Sequence, residues 1–164
     1  MQLKNQVEWA LHCCSVLAAL PEGKTVPAKV LAEFHGVPRE YLAKAMQGLA
    51  QAGIVAGTLG PTGGYRMAKD PSDVSFLDIV EAVEGKKSTF ACSEIRMKNP
   101  CMTKQERKCV GERPCGIAKV MWDADEAWRE HLRGVLLSDL VAAVGEEVPS
   151  EVLVKGEAWL NDRC

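Results

Sequence analysis

Apolar residues recur at helical spacing along most of this chain and lose that spacing in one long stretch. From Gln2 to Leu20 the apolar set includes Val7, Leu11, Val16, Leu17 and Leu20, which predicts a first helix. Pro21 and Gly23 interrupt it. Thr25 is placed to cap a second helix with Pro27 in its first turn, and Gly36 ends it. "PREYLAKAMQGLAQAG" restarts a helix with Pro38 at an early position and stops at Gly53. Two short helices around a Gly-containing turn are the signature of a helix-turn-helix. Ile54 and Val55 then open one strand and Tyr65 to Ala68 form another, with Gly60, Pro61, Gly63 and Gly64 in the turn between. "SFLDIVEAVEG" is a further amphipathic helix closed by Gly85. The fold class expected is mainly α with a small β-hairpin, a winged helix-turn-helix.

The pattern fails from Lys86 to Pro114. This stretch is polar, has no helical or strand period, and carries Cys92, Cys101 and Cys109. An irregular segment of that length in a small domain usually serves a function. From Cys115 a helical pattern resumes and runs long, with Ile117, Val120, Met121, Trp128, Leu132, Val135, Leu136 and Leu140 apolar. A small winged domain cannot cover such a stripe, and a second copy of the chain would. The expected divisions are a DNA-binding winged helix-turn-helix at 1–85, a cysteine loop at 86–114, a long dimerisation helix at 115–145 and a tail at 146–164.

Composition narrows the chemistry. The chain has 164 residues, 47% of them hydrophobic, with no apolar run long enough to cross a membrane and no signal peptide at its start. A cytoplasmic protein is expected. Seven cysteines are then unlike a disulfide framework, both because that compartment keeps thiols reduced and because the count is odd. Metal or redox chemistry is the better reading. The net charge of −2 does not advertise nucleic-acid binding, yet only the contacting face must be positive. Between Pro21 and Asp70, six basic residues (Lys24, Lys29, Arg39, Lys44, Arg66, Lys69) face four acidic ones (Glu22, Glu33, Glu40, Asp70), a modest excess that suits a sequence-specific binder of duplex DNA. The second helix of the motif should enter the major groove with Arg39, Glu40, Tyr41 and Lys44 near its leading turn. Thr58 or Thr62 could reach phosphate, and Gly63 and Gly64 would allow wing dihedrals closed to other residues. No nucleophile–base motif, phosphate loop or zinc-hydrolase motif supports an enzyme.

Glu8 and His12 stand four apart in "VEWALHCC" and so share a helix face. The plain reading is a solvated face; the alternative is a pair of metal ligands, as in helical zinc sites. Trp9 beside them is read first as packing. Cys13 and Cys14 are read as small core residues, Cys164 as an inert terminal thiol, and His35 and His131 as surface or capping residues.

The order of these segments, with "YLAKAMQGLAQAGIV" followed by "GPTGGY", resembles the Rrf-two family of bacterial winged-helix regulators (IscR/NsrR-like) over roughly residues 1–145. "VEWALHCC", "CSEIR" and "CGIAKVM" bring it nearest to the family's redox-sensing RsrR subgroup. The resemblance implies a dimeric DNA-binding regulator that senses redox state or nitric oxide through an iron–sulfur cluster at the dimer interface. It implies a [2Fe–2S] cluster with Cys92 and Cys115 on one iron and Glu8 and His12 on the other, and Trp9 as a side chain that responds to the cluster's charge. Such mixed ligation raises the reduction potential, as Rieske centres show. Two departures keep alternatives open. The cysteine spacing is wider than in IscR-like chains, and Ala118 stands where those have a ligating histidine. Cys101 or Cys109 could complete a cysteine-richer set, [4Fe–4S] included. Leu59 stands where those chains carry a wing arginine. A cluster-free thiol regulator on the same fold is the remaining alternative.

Overall fold

The computed structural model describes residues 3–58, 60 and 63–164; Leu59, Pro61 and Thr62 of the wing lie outside the described residues. The helices are α1 (Asn5–Ala19), α2 (Ala28–His35), α3 (Arg39–Gln51), α4 (Phe76–Glu84), α5 (Lys104–Gly111), α6 (Gly116–Arg133), α7 (Leu137–Glu147) and α8 (Ser150–Asn161), and the strands are β1 (Val55–Gly57) and β2 (Tyr65–Met67). The chain forms two compact units: Lys87–His131, and the remainder on either side of it.

In the larger unit, α1 buries Val7, Ala10, Cys13, Cys14 and Leu17. Their spacing of three and four residues keeps them on one face, which packs on α3, α4 and α7. Gly36 ends α2 in the left-handed region at φ 63°, its N–H bonded to the carbonyls of Ala32 and Glu33. α3 buries Leu42, Ala45, Met46 and Leu49. Where α3 crosses α4, a Cβ on Gly48 would lie 2.5 Å from the Ala82 carbonyl oxygen, so the contact requires glycine.

The wing is an antiparallel pair with Val55 opposite Met67, Ala56 opposite Arg66 and Gly57 opposite Tyr65. A third rung comes from Val26, whose N–H donates to the Tyr65 carbonyl at 2.9 Å while Tyr65 N–H returns to Val26 at 2.8 Å. This pairing displaces the expected cap. Pro27, not Thr25, is the N-cap residue of α2, because the chain at Val26 is extended into the wing. Gly64 lacks the positive φ expected of it. Its constraint is room: a Cβ there would fall 2.5 Å from the Val26 carbonyl carbon. Gly64→Ala is expected to open this bridge and to lower stability by about 1–3 kcal/mol, the usual cost of overpacking, read as a lower urea midpoint at unchanged slope.

α4 begins with a capping box: Ser75 Oγ accepts from Asp78 N–H at 3.1 Å, and the Asp78 carboxylate accepts from Ser75 N–H at 2.9 Å. The long helix expected over 115–145 is two helices. α6 stops at Arg133, and the chain is extended at Leu136 before α7. Phe76 N–H binds the Val135 carbonyl at 2.9 Å and Leu137 N–H binds the Val74 carbonyl at 2.8 Å, so a rung to the segment before α4 replaces helical bonds. The Asp139 carboxylate then accepts from Leu136 N–H at 2.9 Å. The expected tail carries α8, which buries Leu160 in the core and sets Trp159 against Phe34 of α2 at 5.6 Å between rings.

In the unit Lys87–His131, the segment expected to be irregular contains a 3₁₀ turn (Ile95–Lys98) and α5. Thr103 and Glu106 form the capping box that starts α5. Arg107 is the spool of this region, donating to the carbonyls of Met97 at 2.9 Å, Asn99 at 3.0 Å and Met102 at 3.2 Å. On α6, Asp125 and Arg129 pair at 3.2 Å one turn apart.

Candidate functional site

Three surfaces carry the sequence-predicted residues. The first is the outer face of α3. Arg39, Glu40, Tyr41 and Lys44 are all exposed there, while the opposite face is held in the core by Leu42, Ala45, Met46 and Leu49. Anchoring one face so firmly fixes which side chains a groove of DNA would meet. Gln47 and Gln51 continue the same exposed face and line an open groove of about 470 Å³ toward the wing, with Gly57, Thr58 and Gly63. The sequence reading missed both glutamines, although the helical period from Lys44 passes through Gln47 and Gln51. A Gln can read adenine with both ends of its amide.

In the wing, Thr58 Oγ accepts from Gly64 N–H at 3.1 Å and donates to the Gly64 carbonyl at 3.3 Å. Its donor is therefore committed to shaping the wing, leaving only acceptor capacity. Gly64 is buried and closes the wing against Val26, and Gly63 is half-buried. Thr62 lies outside the described residues. Arg39→Ala and Lys44→Ala are each expected to weaken operator binding by about 1–3 kcal/mol where the side chain meets a base edge, and more evenly across sequences where it meets phosphate. Titrations against specific and scrambled duplexes at two salt concentrations separate the two.

The second surface is the exposed side of α1. Glu8 and His12 share it, on the rim of an open groove of about 430 Å³ floored by Leu3, Val7, Leu11, Phe76 and Leu140. The His12 ring lies 5.8 Å from that of His35 at the end of α2, and His35 meets Phe34 edge-on at 5.0 Å. His35, in the last turn of α2, is half-buried, and its Nε2 is buried without a hydrogen-bond partner. Burial, and secondarily the charge of His12, hold its pKa below the ordinary imidazole range. Trp9 is half-buried and packs against the core. Cys13 and Cys14 are fully buried, with burial pushing the Cys13 thiol up to about 12 and Cys14 higher still, which suits packing and not ligation.

The third surface belongs to the unit Lys87–His131. Cys92 is half-buried, and its thiol points to Glu94 Oε1 at 3.6 Å. Glu94 in turn accepts from Arg96 Nε at 2.6 Å, and Arg96 also donates to the Arg113 carbonyl, two residues before Cys115. Cys115 stands just ahead of α6, where the backbone N–H groups of Ala118 and Ile117, and then Arg96, hold its thiol below the usual range. Both sulfurs lie within electrostatic reach of the Arg96 guanidinium. Cys101 and Cys109 are exposed, the latter on α5.

Among the described residues, no three His, Cys, Asp or Glu side chains gather closely enough in one chain to hold a metal ion. The donor chemistry nonetheless fits a cluster in halves. Cys92 and Cys115 are two half-buried thiols that both lie within electrostatic reach of Arg96, and Glu8 with His12 forms an exposed oxygen–nitrogen pair on one helix face.

A helix-turn-helix with an exposed recognition face and a two-stranded wing beside it defines a winged-helix DNA-binding regulator. The Rrf2 family, described as iron-dependent transcriptional regulators, matches residues 3–143, and the chain belongs to this family. The HTH-type transcriptional regulator YwgB of Bacillus subtilis is 27% identical over 146 residues, covering 89% of this chain and 88% of that one. Among solved structures, the global cysteine regulator CymR of B. subtilis aligns with a TM-score of 0.63 at 20% identity, over 87% of this chain and 98% of its own. IscR of T. potens aligns with a TM-score of 0.64 at 18% identity, over 91% and 93%. At such identities these structures speak for the fold. The protein is thus a DNA-binding transcriptional regulator, and no helix among its described residues is long and apolar enough to cross a membrane.

Proposed function

We propose that this regulator is a homodimer of the RsrR type, which senses redox state or nitric oxide through a [2Fe–2S] cluster and adjusts its affinity for operator DNA accordingly. Cys92 and Cys115 hold one iron and Glu8 and His12 the other, the two pairs meeting across the dimer interface as the family resemblance implies. The observation that supports the ligand choice is that the charge of Arg96 reaches both the Cys92 and the Cys115 thiol, each half-buried, while Cys101 and Cys109 are exposed. When bound, such a cluster stores and releases one electron. The chain's own part is to transmit the change: α1 carries Glu8 and His12 and packs directly on the recognition helix α3, and the His12 ring touches α2 through His35. A shift of α1 is felt by both helices of the DNA-binding motif, because packed interiors move as blocks and do not deform smoothly.

The test is anaerobic purification followed by absorbance spectroscopy and iron and sulfide assays. Two iron and two sulfide per chain pair with each site half-filled, or per chain with all sites filled, support the reading. Four iron per site favours the [4Fe–4S] alternative with Cys101 or Cys109. Absence of iron and sulfide, with a reversible Cys92–Cys115 disulfide controlling DNA binding, replaces it by the thiol-redox reading. That second reading draws on the same thiol pair and on CymR of Staphylococcus aureus, whose structure is known in an oxidised form.

A further inference from the structure

We propose that Arg96 is the positioning residue of the cysteine half-site, fastening the Cys92 loop to the segment before Cys115 and placing a fixed positive charge beside both sulfurs. The assignment rests on the cluster reading above for its second half and on geometry alone for its first.

Three contacts define the clasp. Arg96 Nε donates to Glu94 Oε2 at 2.6 Å and its Nη2 to Oε1 of the same carboxylate at 3.4 Å, a two-pronged grip. The same Nη2 donates to the Arg113 carbonyl. Glu94 Oε1 receives the Cys92 thiol at 3.6 Å. One guanidinium therefore ties together a residue two positions after Cys92 and a residue two positions before Cys115. Glu94 is also the one non-glycine residue with a left-handed backbone among the described residues, at φ 49°. That conformation is uncommon for a residue with a Cβ, and it persists where surrounding contacts over-determine it. Here the contacts are those to Arg96 and Cys92.

The fork and the charge make separable contributions. The fork needs planar geometry that lysine lacks, while the charge is common to both residues. Thiolates bound to iron carry negative charge, and a reduced cluster carries one more. A cation held beside the sulfurs stabilises the reduced state and raises the potential, since cluster potentials follow local charge and contacts to sulfur.

Arg96→Lys and Arg96→Gln in the full-length protein test this in two states. In metal-free protein, the Cys92–Cys115 disulfide is equilibrated against reduced and oxidised glutathione, which measures how closely the fold holds the thiols. Both variants are expected to lower this equilibrium constant several-fold. In cluster-loaded protein, Arg96→Gln is expected to shift the reduction potential negative, and Arg96→Lys to restore most of that shift. Circular dichroism and DNA binding of the apoprotein control for folding. Glutathione equilibria equal to wild type in both variants overturn the clasp, and potentials equal in wild type and Arg96→Gln overturn the charge. A wild-type protein that takes up no iron overturns the cluster reading instead, and the glutathione equilibria then decide the Arg96 assignment by themselves.

Discussion

The double substitution Ile117→Asp, Val120→Asp is expected to give a folded monomer at micromolar concentration whose affinity for a two-half-site operator is lower by about 10²–10⁴-fold, the range over which linked binding gains on single binding. Ile117 and Val120 are 69% and 67% exposed on α6, with Met121 and Trp122 beside them at 40% and 43%. Ile117, Val120 and Met121, spaced by three and four, fall on one side of the helix, and exposed large apolar side chains gathered so on one face are unusual for a finished surface. Burying each against a second copy of the chain is worth about 1.5–3 kcal/mol before association costs. Two carboxylates facing their symmetry mates would instead be desolvated next to like charge. In the monomer both positions face solvent, where substitutions usually change stability by about 0.5 kcal/mol or less, so a folding defect is not expected. Light scattering reads the mass, and titration against full and single half-sites reads the coupling. A double variant that stays dimeric places the interface elsewhere.

The winged half of the fold was legible because its punctuation is local. Gly36 and Gly53 end helices at positive φ, and the apolar period of α3 and α4 is strong enough to place Leu42, Met46, Leu77 and Ile79 inward. What escaped was decided at a distance. Thr25 reads as a cap from its neighbours alone, but Val26 is claimed by Tyr65, some forty residues on. The break between α6 and α7 reads as uninterrupted helix for the same reason: Leu136 pairs with Ser75, and nothing next to Leu136 in the chain announces it. α5 was missed from the opposite cause. It buries no residue, so it has no apolar period, and the only signal was the Thr103–Glu106 capping box.

The candidate site divides along the same line. Cys13 and Cys14 could be assigned to the core, and Glu8 with His12 to one exposed face, from helix geometry alone. The link from the Cys92 loop to the segment before Cys115 could not, because it depends on a left-handed turn at Glu94 and on the Arg96 guanidinium reaching to the Arg113 carbonyl. The half-burial of His35 also rests partly on tertiary packing: Phe34 beside it is its chain neighbour, but the His12 ring 5.8 Å away comes from α1.

His12→Ala is expected to weaken cluster retention by more than about 100-fold, since even an outer partner of a metal ligand is worth 10–100-fold. The substitution should leave the fold in place. His12 is exposed, α1 is held by Val7, Ala10, Cys13, Cys14 and Leu17 on its other side, and alanine favours helix. Glu8→Ala should act similarly, and Cys101→Ser and Cys109→Ser should not. On the proposed ligand set, loss of His12 would leave one iron with Glu8 as its single protein ligand from α1. Any cluster that survives would then recruit water or a nearby thiol, changing its spectrum and its potential. Replacing a neutral imidazole by a thiolate adds negative charge and moves the potential down; replacing it by water leaves the site open to solvent and shortens its lifetime in air. Iron and sulfide content, absorbance and potential under anaerobic conditions distinguish these outcomes. A cluster unchanged in all three would remove His12 from the ligand set, and Cys101 or Cys109 would take its place, with the sensing face of α1 reduced to the contact of His12 with His35.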